Sequence, residues 1–134
     1  MSIAVPLDEL EARLADFPWG YLVTVRDDGR AQSLAVPTQY VDGALIANVG
    51  ARAAANAAAR PNVTLLFPGP TGRDMSLIVD GDAEIDGEQI RITPTWAVMH
   101  RPARAATERL PRSQSGRSGP LPPSDDQGLL RSAR

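Results

Sequence analysis

The sequence predicts a mainly β protein of the α+β class: a six-stranded antiparallel barrel with an N-terminal helix and one crossover helix between strands 3 and 4. Three observations predict it. Runs rich in β-branched and aromatic residues recur between residues 19 and 100. All but one of the joints between them are turns or short loops, which suit antiparallel neighbours. A single alanine-rich stretch, Gly50 to Arg60, interrupts them with strongly helical composition. Hairpin-linked strands with one crossover fit a barrel better than a parallel sheet, which needs a crossover after every strand.

Each element has its own signal. Leu7, Leu10 and Leu14, at spacings of three and four after Pro6 and with Asp8 and Glu9 in the first turn, mark a short amphipathic helix that ends before Pro18. Trp19 to Arg26 is the first strand, and Asp27-Asp28-Gly29 turns it into the second, Ala31 to Val41. Pro37 inside that second run marks an edge or a bulge, because proline cannot donate to a ladder. Asp42-Gly43 leads into the third strand, Ala44 to Val49. The crossover helix follows, with seven alanines and no β-branched residue, and Pro61 stops it. Val63 to Phe67 is an almost continuous apolar run, which suggests a central strand buried on both faces. After a Gly/Pro loop at 68–74, Met75 to Ile85 forms the fifth strand. Asp86-Gly87 turns it into Glu88 to Thr93, the sixth, and Pro94 interrupts the chain before Trp96 to His100.

Composition divides the chain near residue 102. Residues 1–102 carry 8 Arg against 13 acidic residues, a net charge of −5, and hold every aromatic residue. Residues 103–134 carry 6 Arg against 3 acidic residues and lack aromatic residues, valine and isoleucine. The first part is expected to be the folded domain. The second is expected to be a disordered Arg/Pro/Ser-rich tail, because it has too little apolar surface to offset the entropy of ordering. Its arginines are scattered and no aromatics interleave with them, which argues against a nucleic-acid arm.

The whole chain has 14 Arg, no lysine, one histidine and no cysteine. Disulfides, zinc–thiolate sites, iron–sulfur clusters and cysteine nucleophiles are therefore excluded. The N-terminus lacks the basic flank and apolar run of a secretory signal, and no stretch approaches the ~20 apolar residues of a membrane helix. A cytoplasmic protein with no membrane partner is expected. His100 is most simply a strand-end imidazole, and Trp96 and Tyr21 packing residues. Asp80, Asp82 and Asp86 lack the spacing of a calcium loop and suggest a solvated strand edge.

One segment carries candidate chemistry. Gly50 precedes the alanine helix, whose first turn holds Arg52. Helix N-terminal amides and the helix dipole favour an anion, and arginine adds a bidentate phosphate donor. A cation in the first turn opposes the dipole, so its presence there suggests a ligand.

The stretch from Ile46-Ala47-Asn48-Val49-Gly50-Ala51-Arg52-Ala53 through Asn56 to Arg60-Pro61-Asn62-Val63-Thr64-Leu65-Leu66-Phe67-Pro68 resembles the flavin-binding segment of the pyridoxamine 5′-phosphate oxidase-like proteins. The resemblance extends to the opening hairpin, Tyr21 to Val36, and to Gly81-Asp82-Ala83-Glu84. It implies a six-stranded antiparallel split β-barrel that binds FMN, or the deazaflavin F420, in clefts of a homodimer. It also implies an FMN- or F420-dependent oxidoreductase acting on a small molecule. The phosphate would lie against Gly50, Ala51, Arg52 and Ala53. The ring would lie along Leu34, Ala35, Val36, Ile46 and Ala47, with Ser76 nearby.

Arg52 and Gly50 match the family's pattern. Ala51 replaces a hydroxyl residue, Ala53 a lysine, Leu34 a basic residue and Ser76 a glutamine. A charge-assisted hydrogen bond contributes about 1.5–3 kcal/mol, so the losses at 51 and 53 amount to about 2–4 kcal/mol of phosphate affinity. Those replacements keep a second class of function open: a cofactor-free dimeric split barrel that serves as a binding or interaction module.

Overall fold

The computed structural model describes residues 2–106. Met1–Pro102 forms one compact unit. Beyond residue 106 the tail assignment lies outside the described residues.

The Met1–Pro102 unit is a single, wholly antiparallel sheet with two helices. The strands are β1 (Ser2–Ala4), β2 (Trp19–Val25), β3 (Ala31–Pro37), β4 (Gln39–Val41), β5 (Ala44–Asn48), β6 (Asn62–Phe67), β7 (Ser76–Asp86) and β8 (Gln89–His100). Helix α1 (Leu10–Leu14) continues a 3-10 turn at Leu7–Glu9, and α2 spans Gly50–Ala59. Hydrogen bonding orders the sheet β3-β2-β6-β7-β8-β5-β4, with β1 added to β8. The predicted antiparallel class, N-terminal helix and crossover helix are all present.

The strand count is eight rather than six, for two physical reasons. The run from Ala31 to Val41 is divided at Pro37-Thr38: proline has no N–H, and the Thr38 amide donates to the Pro18 carbonyl at 3.3 Å instead of to a sheet neighbour. The short β1 carries no periodic signal of its own and is held by pairing Ser2, Ile3 and Ala4 with His100, Met99 and Val98. Pro94, in contrast, does not end β8. It sits at a bulge, where Asp80 pairs with Trp96 and Gly81 with Pro94, leaving Thr95 over. Its missing donor therefore falls where the ladder is already interrupted, and the Thr95 hydroxyl donates to the Asp80 carbonyl at 3.2 Å.

Because β3 and β4 come from one run, a single stretch of chain supplies both outer strands of the sheet. The sheet has to curl to bring them together. β3 then lies beside β5 without a ladder between them, so the barrel is incompletely closed. The concave side holds the core: Leu22, Leu45, Leu65, Phe67, Leu77, Val79, Ile90 and Ile92 are each at most 1% exposed. Phe17, just after α1, meets Phe67 edge-on with ring centroids 6.2 Å apart.

β6 is central, between β2 and β7, but only Val63, Leu65 and Phe67 are buried; Thr64 and Leu66 are half-exposed on the convex side. Tyr21 and Trp96, expected in the packing, stand on that outer side at 38% and 55% exposure, with Trp19 beside them at 43%. The reason is register: Tyr21 pairs with Leu66 and Trp96 with Asp80, so each points away from the buried neighbours on its strand. Asp80 and Asp82 lie not on an edge but on β7, inside the sheet. There they accept hydrogen bonds from the Thr64 hydroxyl (2.7 Å) and the Asn62 amide (2.9 Å).

One tight backbone approach is at Gly20, where β2 passes beneath the Phe67 ring. A Cβ there would lie 2.7 Å from Phe67 Cδ1 and 2.8 Å from the Leu66 carbonyl oxygen. Gly20→Ala is expected to cost about 1–3 kcal/mol by forcing β2 and β6 apart. The change should appear as a lower urea midpoint at unchanged m-value.

Candidate functional site

Helix α2 owes its position to two residues within the run of alanines. Asn56 is buried at 8% exposure, and its Nδ2 donates to Thr24 Oγ1 (3.2 Å) and Gln32 Oε1 (2.7 Å). Arg60 follows the helix and donates through Nε to the Val25 carbonyl and through Nη2 to Asp27 Oδ1, each at 2.7 Å. Both contacts run to β2, β3 and the turn between them, while Ala53, Ala54 and Ala57 enter the core. The helix is therefore tied at its middle and its C-terminal end.

Its N-terminus is held differently. Val49, the residue before the helix, donates its amide to the Glu88 carbonyl at 2.8 Å, and no side chain caps the first turn. No acidic residue lies in that turn. Gly50 has φ +80°, the left-handed region, and the space where a Cβ would stand is open. Ala51 and Arg52 are exposed. Among the described residues the Arg52 guanidinium makes no hydrogen bond or ion pair, whereas Arg26, Arg60 and Arg91 are all engaged. Uncapped amides, a positive dipole end and a free guanidinium form an anion-binding arrangement.

Position 53 differs from its neighbours. Ala53 is 3% exposed and belongs to the core. A lysine on this backbone would start from a buried Cβ, so alanine here serves helix packing.

Beside the turn is a cleft of about 250 Å³, lined by the kink at Pro37, Thr38 and Gln39, by Ile46, Ala47 and Asn48 of β5, and by Gln89 of β8. Asn48 is two residues ahead of Gly50, so the cleft adjoins the N-terminus of α2. The structure thus brings Ile46, Ala47, Gly50, Ala51 and Arg52 into one neighbourhood. Ile46 is half-exposed, while Ala47 is 7% exposed and offers only main chain.

On β3, Val36 is 2% exposed and Leu34 packs against the core, leaving Ala35 as the outward side chain of the three. Among the described residues β3 pairs with β2 alone, so its other edge carries peptide groups without a strand partner there. Ser76 stands apart. It pairs with His100 at one end of β8, while Ile46 pairs with Arg91 towards the other. His100 is half-buried, with Nδ1 3.1 Å from the Ser2 hydroxyl.

Sequence reasoning assigned no role to Asn56 or to the cleft amides Gln39, Asn48 and Gln89. Asn56 had a signal, as the lone amide in an otherwise alanine and arginine helix; the amides depend on cross-strand register, which a single sequence does not display. The described residues contain no group of three or more His, Asp or Glu able to hold a metal ion, and no helix long and apolar enough to cross a membrane. Gly50→Ala is expected to lower stability by about 1–2 kcal/mol through backbone strain alone, since the added methyl meets nothing. A thermal melt of the variant beside the wild type measures it.

No family model matches the chain. The uncharacterized proteins Mb0449c of Mycobacterium bovis and MT0457 of Mycobacterium tuberculosis are each 38% identical to it over 119 aligned residues, covering 74% of this chain and 82% of the relative. Among solved structures, a FAD-binding protein from Mesorhizobium loti superposes with a TM-score of 0.60 at 16% identity, covering 78% of this chain and 98% of its own. A candidate pyridoxamine 5′-phosphate oxidase from Listeria innocua gives 0.58 at 16% identity, with coverage of 69% and 96%. A FAD-binding protein from Mycobacterium smegmatis gives 0.55 at 18% identity, with coverage of 75% and 98%. The curled sheet, the crossover helix and these superpositions agree: the chain belongs to the family of Mb0449c and MT0457 and is built on the split β-barrel of the pyridoxamine 5′-phosphate oxidase-like proteins.

Proposed function

We propose that the protein is a cytoplasmic, homodimeric oxidoreductase of the pyridoxamine 5′-phosphate oxidase-like class that binds a flavin or deazaflavin nucleotide, FMN or F420, and acts on a small molecule. The observation that carries this reading is Arg52: a guanidinium that is exposed and has no partner among the described residues, in the first turn of a helix whose amides lack a cap, next to a cleft. FAD-binding proteins with the same fold support a flavin nucleotide.

The chain's own part is to bind and orient. The amides after Gly50 and the Arg52 guanidinium would hold the phosphate. Ala35 and Ile46, the unpaired edge of β3 and the main chain at Ala47 would flank the ring. The bound nucleotide would supply the hydride or electron chemistry, since no side chain at the cleft is an acid or base suited to it.

The homodimer rests on the convex face. Tyr21, Leu66, Ile78 and Val98 lie in one cross-strand row, with Trp19 and Trp96 in the flanking rows. A row of this kind, bordered by exposed tryptophans, suits burial against a second copy.

A second reading has one observation in its favour. Ala51 and Ala53 leave the turn without a side-chain hydroxyl or ammonium group, which fits a cofactor-free dimeric interaction module. Titration of the purified protein with FMN, FAD and F420, followed by fluorescence quenching, separates the two. Saturable binding that Arg52→Ala weakens at least about tenfold supports the nucleotide site. No saturable binding of any of the three leaves the interaction module. In sedimentation experiments the wild type is expected as a dimer and Ile78→Glu as a monomer; a wild type that sediments as a monomer removes the dimer from either reading.

A further inference from the structure

The cleft beside α2 has a chemical character that the phosphate turn does not explain. Among the described residues, none that lines the cleft is charged. Three of its side chains are primary amides, Gln39, Asn48 and Gln89, and none hydrogen-bonds to the protein among the described residues. The nearest arginine on the same face, Arg91, is turned to the Asp42 carbonyl at 3.3 Å and does not line the cleft.

The register arranges these groups. Asn48 and Gln89 are directly opposed across β5 and β8, where paired side chains start about 5 Å apart. Gln39 is opposed to Ile46 across β4 and β5, one side-chain step of ~7 Å along β5 from Asn48. Ile46 therefore forms an apolar floor, with an amide pair on one side and a third amide on the other.

A primary amide offers both a donor and an acceptor and no charge. A pair of them complements a ring edge that alternates acceptor, donor, acceptor: a cyclic imide, in which an N–H lies between two carbonyls. An anionic ring edge would leave amide acceptors facing negative charge, and a purely apolar ring would leave the amides unpaired. At about 250 Å³ the cleft is smaller than the ~300–1,000 Å³ of a site that encloses a whole small molecule, so it takes one edge of a larger ligand.

We infer that Asn48, Gln89 and Gln39 form a recognition site for the neutral imide edge of a planar heterocycle and set the specificity of the cleft for that edge. The inference rests on the nucleotide-binding reading, which it extends from the phosphate to the ring; it concerns residues that have no part in holding the phosphate.

The test uses probes without phosphate. Lumiflavin, which carries the imide edge and no phosphate, is titrated into the full-length protein beside 3-methyllumiflavin, in which a methyl group replaces the imide hydrogen. Saturable lumiflavin binding is expected, weakened about tenfold or more by the methyl group and by Asn48→Asp or Gln89→Glu. Arg52→Ala should weaken FMN far more than lumiflavin. Equal binding of the two lumiflavins, or lumiflavin affinity unmoved by both carboxylate variants, overturns the inference. If FMN still binds through Arg52 in that case, the nucleotide reading stands and the ring lies elsewhere. If neither FMN nor lumiflavin binds, both readings fall together.

Discussion

A sheet whose two outermost strands are one continuous run of chain cannot lie flat. The kink at Pro37-Thr38 sends residues 31–37 to one edge and 39–41 to the other, so the seven-strand path between them must bend round to meet itself. The rest of the architecture follows from that constraint. The bend gives a concave side that Phe67 and Leu65 of β6 and Val79 of the neighbouring β7 help to fill. It also leaves a seam between β3 and β5 that no ladder closes, and the cleft lies along that seam, lined by the kink itself.

The crossover helix gives the seam chemical direction. α2 is fixed where it touches the opening hairpin, through Asn56 and Arg60, and is left open where it leaves β5. A buried amide bonded to Thr24 and Gln32 tolerates little sliding, since losing either partner leaves a polar atom unpaired in the core. The free end is thereby held in a constant place relative to the cleft. Uncapped helix amides and a neutral, amide-lined hollow adjoin one another because one helix and one strand pair join at Gly50.

How much of this was legible in the sequence follows from which signals are local. The crossover helix was visible because seven alanines have no other good use, and the turns at Asp28-Gly29, Asp42-Gly43 and Asp86-Gly87 announced their hairpins. The start of that helix at Gly50, with Arg52 in its first turn, was legible for the same reason: a helix start is a short-range feature. Features set by pairing were not. Pro37 and Pro94 look alike in the sequence, yet one divides a strand and the other sits in a bulge, and only the opposing residue distinguishes them. Trp96 was expected in the core because aromatic residues usually pack. Its register opposite Asp80 turned it outward, as the pairing with Leu66 did for Tyr21. Leu34 and Val36 showed the same limit on the site side: alternation gave their spacing but not which face was the core.

The placement of the aromatic residues also determines what light can report about this molecule. Both tryptophans stand on the convex face, and the buried rings are phenylalanines, Phe17 and Phe67. Tryptophan emission therefore monitors what covers the outside of the barrel, and is a poor witness to whether its interior is intact. Loss of the core and loss of a covering partner would redden the same two chromophores, and far-ultraviolet circular dichroism is needed to tell one event from the other.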